Sequence, residues 1–511
     1  MYARTYGAAA LGVDGILIDV EVDVANGLPG FEMVGMPDAL VREAKERVRT
    51  AIRNSGLAMK QERVTVNLAP AAIRKDSAGL DLPIAVALLA ACGIVPAESI
   101  QEYAFMGELS LEGACRKVRG VLPMVISAME HKLKGVFISR DNVNEALLVD
   151  GVNAYAVDNL AMVVDFFNGR QLLEPACKDN AADILGECLA DGRDFADVQG
   201  QFMAKRAFEV AAAGGHNVLL SGSPGAGKTM LARRMGSILP EMTDKEALEV
   251  TKIYSISGLL TDSRRLIRTR PFRSPHHTVS SAAMIGGGSI PRPGEVTLSH
   301  NGVLFLDELP EFGQKVLESL RQPLEDGNVT VSRVSGTLSF PSRIMLIGAM
   351  NPCPCGYYGD KEHPCDCTPS QIKQYTRKLS GPLLDRFDIQ IRVPRVSYQE
   401  LSATGKAESS CSIRQRVAAA RKRQQIRYRD IGISCNAQLG HSQLPLYCPM
   451  TPEAEMLLED AFKKRHLSAR SYDRIIKVSR TIADLANEDI IQMECIGEAL
   501  LMRNDVSFSE E

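Results

Sequence analysis

Residues 222–229 read GSPGAGKT, a run whose residue types and spacing suit the binding of phosphate. Gly222, Gly225 and Gly227 let the backbone curl until its N–H groups face an anion, with Ser223, Pro224 and Ala226 between them. Lys228 can then neutralise the β- and γ-phosphates of a nucleotide, and Thr229 offers a hydroxyl to Mg²⁺. A second run, VLFLDE at 303–308, ends in adjacent carboxylates. Asp307 suits the Mg²⁺, and Glu308 suits polarisation of an attacking water, so hydrolysis of ATP is expected as well as binding. A third apolar run, RIMLIGAMN at 343–351, ends in Asn351, whose amide can orient that water and touch the γ-phosphate. Arg386 in LLDRFD and Arg470 in SARSYDR offer the positive charge that a loose phosphoryl transition state needs on its equatorial oxygens. Either could equally be a salt-bridged surface residue.

The stretch 351–367, NPCPCGYYGDKEHPCDC, brings Cys353, Cys355, Cys365 and Cys367 together as two C-x-C pairs in a loop rich in glycine and proline. Four thiolates at this spacing can close a tetrahedral, structural Zn²⁺ site. Free thiols or a redox pair, and His363 in place of one cysteine, are the alternatives. The other eight of the twelve cysteines, Cys92, Cys188 and Cys435 among them, lie singly, as buried thiols do in a reducing compartment. His276 and His277, in SPHHTVS, are read as lining a loop near a pore instead of holding a metal.

These groups need a scaffold. The runs HNVLLSG, GVLFLDE and RIMLIGAMN are short and almost wholly apolar, which suits parallel strands covered on both faces. They fall within 194–395, read as a P-loop core with a parallel sheet. Before it, 1–175 mixes alternating strand-like runs (GILIDVEVDV, RVTVNLAP, KGVFIS) with amphipathic helical ones (DALVREAKERVRTAIRNSG, LDLPIAVALLAACG), an α/β domain. Residues 176–193 are a polar, acidic linker, and 396–511 read as mostly helical. At 511 residues several domains are expected. The 45% apolar and 24% charged composition is that of a soluble globular protein. No apolar run reaches the roughly 18 residues that a membrane helix requires. The first residues do not form a signal peptide, so a cytoplasmic, non-membrane protein is expected. A net charge of −3 leaves any nucleic-acid contact to local patches.

Together GHNVLLSGSPGAGKT, PFRSPHHTVSSAAMIGGG, RPGEVTLSHNGVLFLDELPEF, MNPCPCG and LLDRFD resemble the magnesium-chelatase-like AAA+ ATPases of the YifB/ComM group, and the likeness covers nearly the whole chain. It implies a homo-oligomeric ring, usually a hexamer, with ATP between subunits. By this resemblance Asn351 matches sensor 1, Arg386 an arginine finger acting in trans, and Arg470 sensor 2, read here as acting in cis; the helical region would be the lid. Within 324–343, LEDGNVTVSRVSGTLSFPSR reads as a hairpin with its turn at 335–336. In related rings such a hairpin enters the channel, so Arg333 near its tip is a candidate for DNA phosphate. The acid-free run 263–274, SRRLIRTRPFRS, adds Arg264, Arg265, Arg268, Arg270 and Arg273, of which Arg268 and Arg270 are further DNA candidates. The basic run RKRQQIRYR at 421–429 is equally compatible with a solvated helix face.

The first domain resembles the Lon-protease-like, ribosomal-S5-type fold, with DSAG placing Ser77 at the protease nucleophile. Such an enzyme needs a lysine amine as base. The matching segment carries Leu122 there, with Lys117 several positions away, so a proteolytically dead scaffold or DNA-contacting collar is expected. The function implied is an ATP-driven DNA motor for branch migration in recombination during natural transformation. The rivals are a magnesium-chelatase-type motor acting on a protein partner and an ATP-dependent Lon-like protease.

Overall fold

The computed structural model describes residues 1–57, 62–72, 75, 78–177, 192–260, 266–288, 291–333, 336–360, 362–396 and 407–503. The amino-terminal part is built on a mixed seven-stranded sheet in the order Gly30–Val34, Arg63–Ala69, Asp14–Ala25, Tyr2–Leu11, Tyr103–Met106, Gly135–Ser139, Ala154–Val157. Alternation explains its half-buried strands: in Arg63–Ala69 the side chains of Val64, Val66 and Leu68 point to the core. The helix Asp81–Ala91 departs from the amphipathic pattern expected, because every one of its residues is buried. A helix apolar all round belongs inside a domain. Its one carboxylate, Asp81, is paired with Arg47 of the helix Ala39–Asn54 at 2.8 Å.

The second sheet is five-stranded and wholly parallel, ordered Phe272–Arg273, Val303–Leu306, Met345–Met350, Val218–Ser221, Ile389–Arg392. Period-two alternation sends Val218, Leu220, Val303, Phe305, Ile347 and Ala349 into one core, and Leu219, Leu304, Leu306 and Leu346 into another on the opposite face. Both faces are therefore covered, as the uninterrupted apolar runs require. The first of these cores also takes in Val417, Leu458, Ile475, Ile482 and Ile496 from the helices Ser410–Arg427, Pro452–Lys464, Ala469–Leu485 and Met493–Leu501. The carboxy-terminal helices thus share a core with the sheet. Hydroxyls of Ser409, Thr451 and Ser468 cap three of them. Among the described residues no helix is long and apolar enough to cross a membrane.

The predicted hairpin is present as Asn328–Arg333 paired with Gly336–Pro341. Arg333 pairs with Gly336, so Gly336 starts the return arm and does not belong to the turn expected at 335–336. Val334 and Ser335 lie outside the described residues, as do Ser77, Arg264 and Arg265. Leu122 is fully buried in the helix Val121–Glu130, so no amine occupies that place.

Candidate nucleotide site

The phosphate loop leaves the strand Val218–Ser221 and enters the helix Lys228–Ile238, whose free N–H groups open toward it. Gly225 and Gly227 have φ of 79° and 87°, in the left-handed region where a side chain is strained. A Cβ on Gly225 would meet nothing within 4 Å, so the loop is open on that side. Lys228 turns back into this loop. Its Nζ donates to the carbonyls of Gly222 and Ser223 at 2.5 and 3.0 Å and to Asn351 Oδ1 at 3.1 Å. Burial pulls the Lys228 amine below its usual range, against the opposing effect of Asp307. An open cleft beside Thr229 is rimmed by Arg193, Arg233 and Arg234.

Thr229 Oγ1 donates to Asp307 Oδ2 at 2.7 Å, so the two groups expected on Mg²⁺ already meet. The residues fit a Mg²⁺–nucleotide: an open amide-lined cradle, an ammonium aimed into it, and a hydroxyl–carboxylate pair at its edge. Asn351 reaches the site because its strand, Met345–Met350, lies in register between the strands of Asp307 and of the phosphate loop. Glu308 is exposed and holds a left-handed backbone, φ 51°, at a position that favours glycine. Sequence reasoning missed its neighbour. His277 Nδ1 lies 3.6 Å from Glu308 Oε2, and the His276 and His277 rings are 4.1 Å apart. The signal available was the place of SPHH just after the edge strand Phe272–Arg273, which pairs with the strand leading to Glu308.

The arginines sit elsewhere. Asn217 and Asp388, which precede the strands Val218–Ser221 and Ile389–Arg392, mark the amino-terminal end of the parallel sheet. The Arg386 carbonyl accepts from Asn217 Nδ2 at 2.9 Å, and its mostly buried guanidinium is ion-paired with Glu325. Arg470 is 3.7 Å from Asp385, and Arg474, one turn along the same helix, is 3.0 Å from Asp388. Both Arg386 and Arg470 are thus at the opposite end of the sheet from the phosphate loop. The expectation that Arg470 reads the γ-phosphate of its own subunit is corrected: the helix Ala469–Leu485 packs at the wrong end of the strands.

One further expectation changes. Arg270 is not an exposed DNA contact: its guanidinium donates to the Pro240 and Asn301 carbonyls, both at 2.7 Å, and to Glu246. Arg273 is likewise tied to Glu295, at 2.7 Å. Arg268 is exposed and 2.8 Å from Asp244.

The four cysteine thiols lie within 4.8 Å of one another, with Cys353 buried and the other three half-buried. His363, weighed as a substitute ligand, stands apart from the cluster and stacks on Tyr357 at 5.2 Å.

A parallel sheet with a lysine-bearing glycine loop at the end of one strand, an acidic pair on another and an asparagine on the strand between defines the P-loop nucleoside-triphosphatase class. Three family descriptions match along the chain: "Magnesium chelatase, subunit ChlI" at residues 194–401, "Subunit ChlI of Mg-chelatase" at 20–142, and "Magnesium chelatase, subunit ChlI C-terminal" at 407–503. Over 502 residues the chain is 43% identical to the competence protein ComM of Haemophilus influenzae, covering 98% of this chain and 96% of that one. It is also 43% identical, over 496 residues, to the protein YifB of Escherichia coli, covering 97% and 96%. A magnesium-chelatase 67 kDa subunit of Chlorobaculum parvum is 27% identical over 164 residues, 31% of this chain and 23% of its own. The chain belongs to the magnesium-chelatase-like AAA+ family of the ComM/YifB type.

Proposed function

We propose that this protein is an ATP-hydrolysing AAA+ motor that acts on DNA as a homo-oligomeric ring, with a hexamer as the expected form and branch migration during recombination as its task. The observation that carries the ATPase reading is the convergence of Lys228, Asn351, Thr229 and Asp307 on one loop, at 3.1 Å and 2.7 Å across the two pairs. Likeness to a competence protein along nearly the whole chain supports the DNA reading.

When bound, Mg²⁺ supplies charge neutralisation across the phosphate oxygens. The chain's own residues do the rest. Thr229 and Asp307 hold the metal, and Lys228 with the loop amides holds the phosphates. Asn351 and Glu308 align and polarise the attacking water. Arg386 and Arg470, at the other end of the sheet, would complete the site of a neighbouring copy. The paired arms ending at Arg333, together with Arg268, would meet DNA phosphates, a contact weakened by salt. Burial of Leu122 supports a scaffold role for the first domain.

Likeness to a magnesium-chelatase subunit favours a second reading, a motor working on a protein partner. The deciding experiment measures ATP turnover with and without DNA, and strand exchange on a labelled four-way junction. DNA-stimulated turnover and ATP-dependent exchange are expected, both lost by about 100-fold or more in Glu308→Gln. Turnover indifferent to DNA, with no exchange, would move the protein to the partner-protein reading. Turnover undiminished in Glu308→Gln would remove Glu308 as the base.

A further inference from the structure

The four-cysteine loop touches the phosphate loop. Ser223 Oγ donates to Asp360 Oδ2 at 2.7 Å, joining residues 137 positions apart in the chain. Gly356 lies flat on Pro224, where a Cβ would meet the proline ring at 2.6 Å. Arg395 spans the junction: its guanidinium is 3.5 Å from Asp360, donates to the Pro224 carbonyl at 3.3 Å, and lies over the Tyr357 ring at 5.5 Å. Asp360, Gly356 and Tyr357 all lie between the two cysteine pairs. Whatever orders that segment therefore shapes the phosphate loop.

We propose that Cys353, Cys355, Cys365 and Cys367 bind one Zn²⁺, and that this ion sets the nucleotide affinity of the phosphate loop by holding Asp360 and Gly356 against Ser223 and Pro224. The coupling rests on the reading of 222–229 as a nucleotide site. The thiol geometry carries the metal. Sγ of Cys353 is 3.3 Å from Cys355 and 3.7 Å from Cys365, and Cys355 and Cys365 are 3.5 Å apart. A tetrahedral ion with Zn–S bonds of about 2.3 Å spaces its sulfurs by about 3.8 Å, so a small adjustment completes the shell. Backbone N–H groups of Gly356 and Tyr358 point at Cys353 Sγ from 3.2 and 3.3 Å, and that of Cys355 at Cys367 Sγ from 3.4 Å. Such donors stabilise metal-bound thiolate. Four soft sulfur ligands select zinc over the oxygen-seeking Mg²⁺ of the neighbouring site.

Metal binding would close the segment between the cysteine pairs, and closure holds Asp360 against the Ser223 hydroxyl. The ion takes no part in hydrolysis. It acts on the ground state, through the shape of the loop that receives phosphate.

The test uses the full chain, purified without chelator, with zinc measured by elemental analysis and affinity measured with a fluorescent ADP analogue. One zinc per chain is expected in the wild type. Cys365→Ser should lose the zinc, and Asp360→Ala should keep it. Both should weaken ADP binding by about tenfold, the order expected for losing the hydrogen bond from Ser223 to a charged group, with circular dichroism unchanged. Lys228→Ala, by contrast, should lose nucleotide and keep zinc. A wild type without zinc overturns the metal site. ADP affinity unmoved in Asp360→Ala, with zinc retained, overturns the coupling. A zinc-loaded wild type that binds no nucleotide instead removes the phosphate-loop reading on which the coupling rests.

Discussion

Glu308 carries two constraints at once: a left-handed backbone just past the end of its strand, and a histidine 3.6 Å from its carboxylate. An exposed carboxylate on such a backbone has many rotamers, and only some of them suit the proposed polarisation of a water beside Asn351. His277 limits that choice, because its ring is itself fixed against His276 and lies 6.4 Å from the Phe312 ring. Removing it should cost alignment and spare binding. His277→Ala is expected to lower turnover about tenfold while ADP affinity stays within twofold, since His277 lies beside Glu308, the proposed base, and its ring neighbours are His276 and Phe312. Steady-state kcat set beside a direct nucleotide Kd checks this. A parallel loss of affinity would instead make His277 part of the nucleotide pocket.

At the scale of elements, the direction of the parallel strands decides which arginine can serve which nucleotide. The phosphate loop follows Ser221 at the carboxy-terminal end, whereas the helix Ala469–Leu485 meets the sheet at Asp388, where the strands begin. Across a four-residue strand that separation is about 13 Å before any side chain is added. The proposal that Arg470 and Arg386 serve a neighbour's site follows from this separation. Each of Arg386→Ala and Arg470→Ala should reduce turnover by about 100-fold or more alone. Each should regain part of it when mixed with Lys228→Ala, whose intact arginines complete the variant's intact phosphate loop. An Arg470→Ala chain that regains nothing in mixed rings would return that residue to its own subunit. The phosphate loop, the acidic pair and the sensor strand were legible in the sequence because each is a local pattern: glycine spacing, an apolar run, a polar residue at its end. The hairpin was legible for the same reason, apart from its turn. The place of Arg470, the burial of Arg270 and the Ser223–Asp360 bond were not legible, since they join segments far apart and leave no periodicity. The sequence offered a basic run at 263–274, but charge complementarity from Glu246 and Glu295 had already consumed Arg270 and Arg273.

For the whole molecule, the question is how the first part is coupled to the P-loop part. Each part has its own core. The helix Asp244–Ser257 of the second part meets the helix Val121–Glu130 of the first, and Gly120 N donates to the Ser255 carbonyl at 3.2 Å. At this junction Ser255 Oγ donates to Glu145 Oε1 at 2.5 Å, and the same oxygen accepts from Leu122 N at 2.8 Å. Both side chains are buried, so the carboxylate depends on these donors. The same helix also carries Glu246 and Glu249, which hold Arg270 and His300 beside the strand leading to Asp307. Contiguous contacts thus run from the first part, through this helix, to the residues beside the acidic pair. Ser255→Asp sets a second carboxylate against the buried Glu145 in place of a hydroxyl donor, a loss of about 3 kcal/mol at the junction. Calorimetry is expected to show one unfolding transition for the wild type and two for this variant, each part melting on its own core. Lys252→Ala, which breaks a pair to the exposed Asp14 across the same junction, should leave the single transition within a degree or so. A Ser255→Asp protein that still melts in one step would mean that the two parts are held together by surfaces other than this one.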